Sequence, residues 1–181
     1  MSHNRNLWKN LAAVAVASAS AFALAGCGNF NISTKAQEEL AGKTVTVHMI
    51  GVNPSELERW KTYSVTQYFR PGDPLRESAV AGGYARVMNF GPGNPNPQEL
   101  KKDDEIWRKW HSRHGENIVV LACLPGYSDK DDKAGSADPR RLILPMSTSQ
   151  WRWAYWGKDT VDLEISRGKV TCLNEHKPAK P

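Results

Sequence analysis

The sequence runs to 181 residues, 40% of them hydrophobic, with 24 Lys and Arg against 19 Asp and Glu and a formal net charge of +5. That mild imbalance, without an Arg/Lys run, gives no support to nucleic-acid binding. A chain of this length suits one domain that buries about two thirds of its unfolded surface.

The first ten residues carry Arg5 and Lys9 and no acid, and residues 11–25, LAAVAVASASAFALA, are uncharged. That apolar run has the length of a signal-peptide h-region, whereas a bilayer-spanning helix needs about 20 apolar residues. The tetrapeptide Leu24-Ala25-Gly26-Cys27 resembles a bacterial lipobox and sits where a lipobox belongs. The resemblance implies cleavage before Cys27, thioether lipidation of that cysteine and acylation of its new amino group, by palmitate or a similar chain. One acyl chain holds a protein only marginally, at about 0.8 kcal/mol per buried CH₂, whereas two or three hold it stably. Gly28 follows the cysteine. In lipoproteins of the enterobacterial type an Asp there retains the protein in the inner membrane, so the resemblance implies the outer membrane, facing the periplasm.

Cleavage would remove Arg5 and Lys9 and lower the net charge from +5 to +3. The remaining cysteines are Cys123 and Cys172. In an oxidising compartment they can pair, and closing that loop would contribute about 4 kcal/mol in the chain-entropy model. Two buried free thiols on separate strands are the alternative, since spacing alone does not fix disulfide geometry.

Residues 28–42 read as a tether between lipid and domain, with a short helix ended by Gly42. Residues 43–52 alternate Val45, Val47 and Met49 with Thr44, Thr46 and His48, the pattern of a half-buried strand. NPSE at 53–56 is a helix start, with Asn53 as cap and Pro54 in the first turn. That helix must be short, because SVTQYF at 64–69 is rich in strand formers. RPGDP at 70–74 reads as a loop, and YARVMNF at 84–90 as a strand. NPQE at 96–99 repeats the helix-start signal before Leu100, Trp107, Trp110 and His114 at helical spacing, with Gly115 as terminator. IVVLACL at 118–124 suits a strand buried on both faces. Residues 128–141 read as a solvated surface loop, and 142–146 as a short strand. Residues 160–165 and 169–173 form a hairpin around Ser166-Arg167-Gly168, and the tail from 175 to 181 is expected to be disordered.

Together these elements predict a mainly β fold, a small β-sandwich with one or two helical insertions over residues 43–174, following a signal peptide at 1–26 and a lipidated tether at 27–42. An α+β sheet with one helix on its face is the runner-up.

No nucleophile elbow, Gly-rich phosphate loop or CxxC occurs, and no cofactor or catalytic residue is indicated. His111 and His114 lie three apart and could share a metal with a carboxylate, as in a metal-dependent hydrolase. Without a third ligand, they read better as complements to a helix C-terminus. DKDD at 129–132 resembles the start of a calcium loop, but positions six and twelve hold Ala134 and Arg140, so a solvated loop is preferred. Trp151, Arg152, Trp153, Tyr155 and Trp156 form the densest aromatic cluster. Exposed, Trp151, Trp153 and Trp156 could stack on glycan or anchor a protein; the preferred reading is that they close one end of the core.

In chain order, strand KTVTVHMIGV, the following NP, SVTQYF, IVVLACL and a terminal hairpin ending VTCL make the mature chain similar to the TssJ-type outer-membrane lipoproteins of type VI secretion. That resemblance implies a transthyretin-like β-sandwich without catalytic activity. It implies that the domain holds the periplasmic part of an inner-membrane partner against the outer membrane. The insertion at 92–115 and the loop at 128–141 depart from that compact pattern. The expected partners are therefore the membrane, through Cys27, and an envelope protein, with peptidoglycan or another glycan as the alternative ligand.

Overall fold

The computed structural model describes residues 28–151 and 159–176. Eight strands form two four-stranded sheets around one shared hydrophobic core. The first sheet has the order β4 (Gln98–Leu100), β1 (Asn31–Ala36), β7 (Thr160–Ile165), β8 (Val170–Cys172). The second has the order β3 (Ala85–Phe90), β2 (Val45–Val52), β5 (Asn117–Cys123), β6 (Arg141–Pro145). The fold is the mainly β sandwich with helical insertions that the strand pattern predicts.

The expected tether is instead part of the sandwich. β1 lies inside the first sheet, parallel to β7 and antiparallel to β4. Phe30, Ile32, Thr34 and Ala36 point into the core, while Asn31, Ser33 and Lys35 lie on the outer face. This is period-two alternation, but its partners lie more than 60 residues away, and the segment is too polar to announce itself alone.

Four helices decorate the second sheet and one end of the core. α1 (Pro54–Thr62) starts as expected: Asn53 accepts from the Glu56 amide at 2.9 Å, and Glu56 reaches back to close a capping box. The next stretch departs from expectation. Residues 64–69 form not a strand but the single turn α2 (Val65–Tyr68), capped by Ser64, which accepts from the Gln67 amide at 2.8 Å. Burial of Val65 and Tyr68 against β5 overrides their strand propensity. α3 (Pro74–Ala81) follows the RPGDP loop, in a stretch for which the sequence predicts no element; Asp73 caps it by accepting from the Arg76 amide at 2.9 Å. α4 (Glu105–Ser112) begins at Asp104, not at NPQE. The Asn96 side chain instead both accepts from the Ala36 amide (3.0 Å) and donates to its carbonyl (2.8 Å), extending the β1–β4 pairing by one side-chain rung. His114, rather than Gly115, takes the left-handed conformation after α4, at φ 57°.

β5 is buried on both faces, as its apolar run predicts. α1 and α2 pack on one side of the second sheet, with α3 over β3, and the first sheet lies on the other. The loop at 128–141 is not simply solvated. Arg140 and Asp138 are almost completely buried, paired at 2.8 Å, and Arg140 also contacts Asp132 at 2.5 Å. Asp132 in turn accepts from the Thr66 amide at 3.1 Å and from the Ser64 hydroxyl, so the loop is stapled to the start of α2.

The sandwich has two distinct ends. At one, Asn31 faces Thr160 while Val52, Asn117 and Pro145 stand in register. Trp151 ties the two sheets there: its indole N–H donates to Pro145 O at 3.1 Å, and its ring meets Phe30 at 5.5 Å. At the other end Ala36 faces Ile165, the Val170 amide donates to Pro139 O at 2.8 Å, and the Tyr127 hydroxyl donates to Gly168 O.

Candidate functional site

Phe30 organises the first end. It is fully buried and meets Trp107 edge-on at 5.1 Å as well as Trp151. Its burial alone contributes about 1.5–3 kcal/mol. Asn29 locks the approach to it. Its side-chain amide donates to Lys102 O at 2.9 Å, and its carbonyl oxygen lies 2.8 Å from His111 Nε2. α4 plugs this end of the core. Trp107 donates to Lys101 O at 3.0 Å and Trp110 to Tyr84 O at 2.8 Å, so each buried indole has its partner.

The second feature is an open groove of about 750 Å³ on the outer face of the second sheet, beneath α3. Its floor is Thr46, His48, Val87 and Cys123, and the register pairs Thr46 with Cys123 and His48 with Val87. Phe69, Arg76 and Val80 form its walls. Val80 and Val87 are 46% and 37% exposed, two of the three large apolar side chains most open to solvent among the described residues. Burial, with a smaller push from Arg76, holds the His48 imidazole at a pKa of about 4, so it is neutral near pH 7. His48 Nδ1 lies 2.8 Å from the Tyr68 hydroxyl, whose own pKa burial pushes up. Burial likewise raises the Cys123 thiol, against weaker opposition from Arg140 and Arg76. The groove thus offers a neutral, largely apolar floor, with the Arg76 and Glu77 side chains both at its wall.

The residues singled out from sequence are scattered. Cys27, Trp153 and Trp156 lie outside the described residues. Trp151 is 1% exposed and its indole N–H is hydrogen-bonded to Pro145 O, so it packs in the core. Glu175 and His176 of the expected disordered tail are described, and His176 bridges to Trp151 with its ring 4.9 Å away. Cys123 and Cys172 are free thiols in different sheets. His111 is engaged with Asn29 and stacks on Trp107, while His114 lies beyond the helix end. No group of three His, Cys, Asp or Glu side chains suited to a metal occurs among the described residues. The three acids of DKDD point to different partners: Asp129 to Arg70, Asp131 to Ser128 and Asp132 to Arg140. The groove itself was missed. Its residues come from β2, α3, β3, β5 and Phe69 at the end of α2, and no contiguous stretch of sequence contains them.

The arrangement defines a two-sheet β-sandwich with an apolar surface groove. No family model matches the chain, and no curated protein matches it significantly. Among solved structures it is similar to Lip of Serratia marcescens, a membrane-bound component of the type VI secretion system, at 10% identity and a TM-score of 0.43 over 80% of this chain and 96% of that one. It is also similar to the type VI lipoprotein TssJ1 of Pseudomonas aeruginosa, at 13% identity and a TM-score of 0.44 over 82% of this chain and 96% of that one. Likeness at this level assigns no role to any residue here.

Proposed function

We propose that the chain is a lipid-anchored periplasmic lipoprotein, cleaved before Cys27, whose sandwich is a non-catalytic binding domain of the TssJ type. It would hold a protein partner at the outer membrane as part of a secretion assembly. The observation that carries the reading is the separation of two features. The segment leading from Cys27 enters the sandwich at Phe30, whereas the apolar groove lies on the half of the second sheet remote from that entry. A domain fixed at one end and apolar near the other suits holding a partner at a surface, where confinement raises effective concentration.

The test is cross-linking of the full-length chain in intact envelopes, followed by mass spectrometry. The reading predicts recovery of the periplasmic region of an inner-membrane secretion component, weakened by Val80→Asp in the groove. Recovery of no protein, with retention on purified peptidoglycan instead, contradicts it and favours glycan binding through Trp153 and Trp156.

A further inference from the structure

The route from Cys27 into the fold is very short. Cys27 and Asn29 are two residues apart, so their Cα atoms can be separated by at most about 7 Å. Asn29 and Phe30 are both held: the Asn29 side chain is bonded to Lys102 and His111, and Phe30 is fully buried between Trp107 and Trp151. Gly28 is the one residue between the anchor cysteine and this lock, and it lies beside Thr148. The headgroup layer of a bilayer is about 5–7 Å thick on each side. A lipid on Cys27 therefore brings Asn29 to that layer, and its neighbours with it.

We propose that this end of the sandwich is a membrane-contact face. Resting on the anchoring reading above, the inference is that Asn29, Lys102, His111 and Ser149 sit against phospholipid headgroups, with the short leash as the cause. The domain then has one orientation and does not tumble on a flexible tether. The chemistry of the face is suitable. Lys102, His111 and Ser149 are exposed polar groups, Lys102 paired with Asp159 at 2.6 Å so that this part of the face is near neutral, while the apolar bulk of Trp107, Trp110 and Trp151 is turned inward. Among the described residues, the face therefore offers polar contacts to headgroups. Orientation follows for the groove. From Val52 to Thr46 along β2 is six residues, or about 20 Å at strand rise, so the groove is held out towards the aqueous side.

The test uses the full-length lipidated chain purified from bacterial membranes and reconstituted in phosphatidylethanolamine–phosphatidylglycerol vesicles. Cys123 and Cys172 are replaced by Ala, and a fluorophore is attached through Ser149→Cys at the proposed face or Arg167→Cys at the opposite end. Melting curves confirm that each variant is folded. Spin-labelled lipids should quench position 149 and leave position 167 unchanged. Inserting twelve Gly/Ser residues after Gly28, a spacer of about 20 Å, should abolish the quenching at 149. Equal quenching at both positions, none at 149, or quenching that survives the spacer overturns the proposal. Failure to float with the vesicles at all overturns the anchoring reading itself, and the contact face falls with it.

Discussion

Gly51 in β2 lies flat against the indole of Trp110 in α4. A Cβ built on Gly51 would fall 2.6 Å from the Trp110 Cβ and closer still to Cγ. The absence of a side chain is what lets α4 close the core, with the Trp110 N–H reaching Tyr84 O on the far side. Gly51→Ala should therefore destabilise the fold by about 1–3 kcal/mol through overpacking. Urea denaturation checks this, as a lower midpoint at unchanged slope.

The Arg140 cluster makes a second prediction. Arg140→Met removes the cation and leaves Asp138 buried without its charge partner, at a cost of about 3–5 kcal/mol. Burial pushes the Asp138 and Asp132 carboxyls up, but hydrogen bonds outweigh it and their pKa values end below the ordinary range. Their stabilisation is present above the unfolded carboxylate value and is lost as pH falls towards the lowered one, below about pH 4. In Arg140→Met the burial effect should win at Asp138, so that mild acidification, which costs both chains the His48 component, costs this variant less stability than it costs the unsubstituted chain. Denaturation midpoints at pH 7 and pH 5 for both chains decide the sign.

His48 titrates with the opposite chemistry and the same direction. Its folded pKa of about 4 lies below the ordinary value of 6.5, mainly through burial. Between those values the unfolded chain binds the extra proton. Stability should thus fall from about pH 6.5 to pH 4, by up to about 3 kcal/mol. His48→Gln lacks this component, which a pH series of urea midpoints will show.

Cys123 and Cys172 stand in different sheets as free thiols, and burial raises the pKa of each. Both should be alkylated after unfolding without reductant, and in the folded chain at pH 7 half-buried Cys172 should react more slowly than exposed Cys123. Intact mass after iodoacetamide treatment, with and without denaturant, measures this. A disulfide in the purified chain would contradict it.

How much was legible varies by element for physical reasons. β2 and β5 were readable because one alternates in sequence over 44–49 and the other is apolar throughout, although β2 is buried on both faces rather than half-buried, and α1 because Asn53, Pro54 and Glu56 encode its cap locally. β1 was hidden because its pairing is wholly non-local. The turn at 65–68 and the helix at 74–81 were hidden because Ser64 and Asp73 caps were overshadowed by strand formers and by a Pro-Gly pair. The charged run at 128–141 looked solvated because sequence does not show that Arg140 lies between Asp132 and Asp138 with Thr66 beside it. The groove draws on four separate elements and on Phe69, so no local pattern could mark it.

The most direct test of the central claim is metabolic labelling with palmitate in a bacterial host, joined to membrane fractionation. The account predicts a labelled envelope protein whose first residue is Cys27, and loss of label in Cys27→Ser, which should remain unprocessed or become soluble. A Cys27→Ser chain that is still processed, acylated and membrane-bound would contradict it, as would a native chain carrying no lipid.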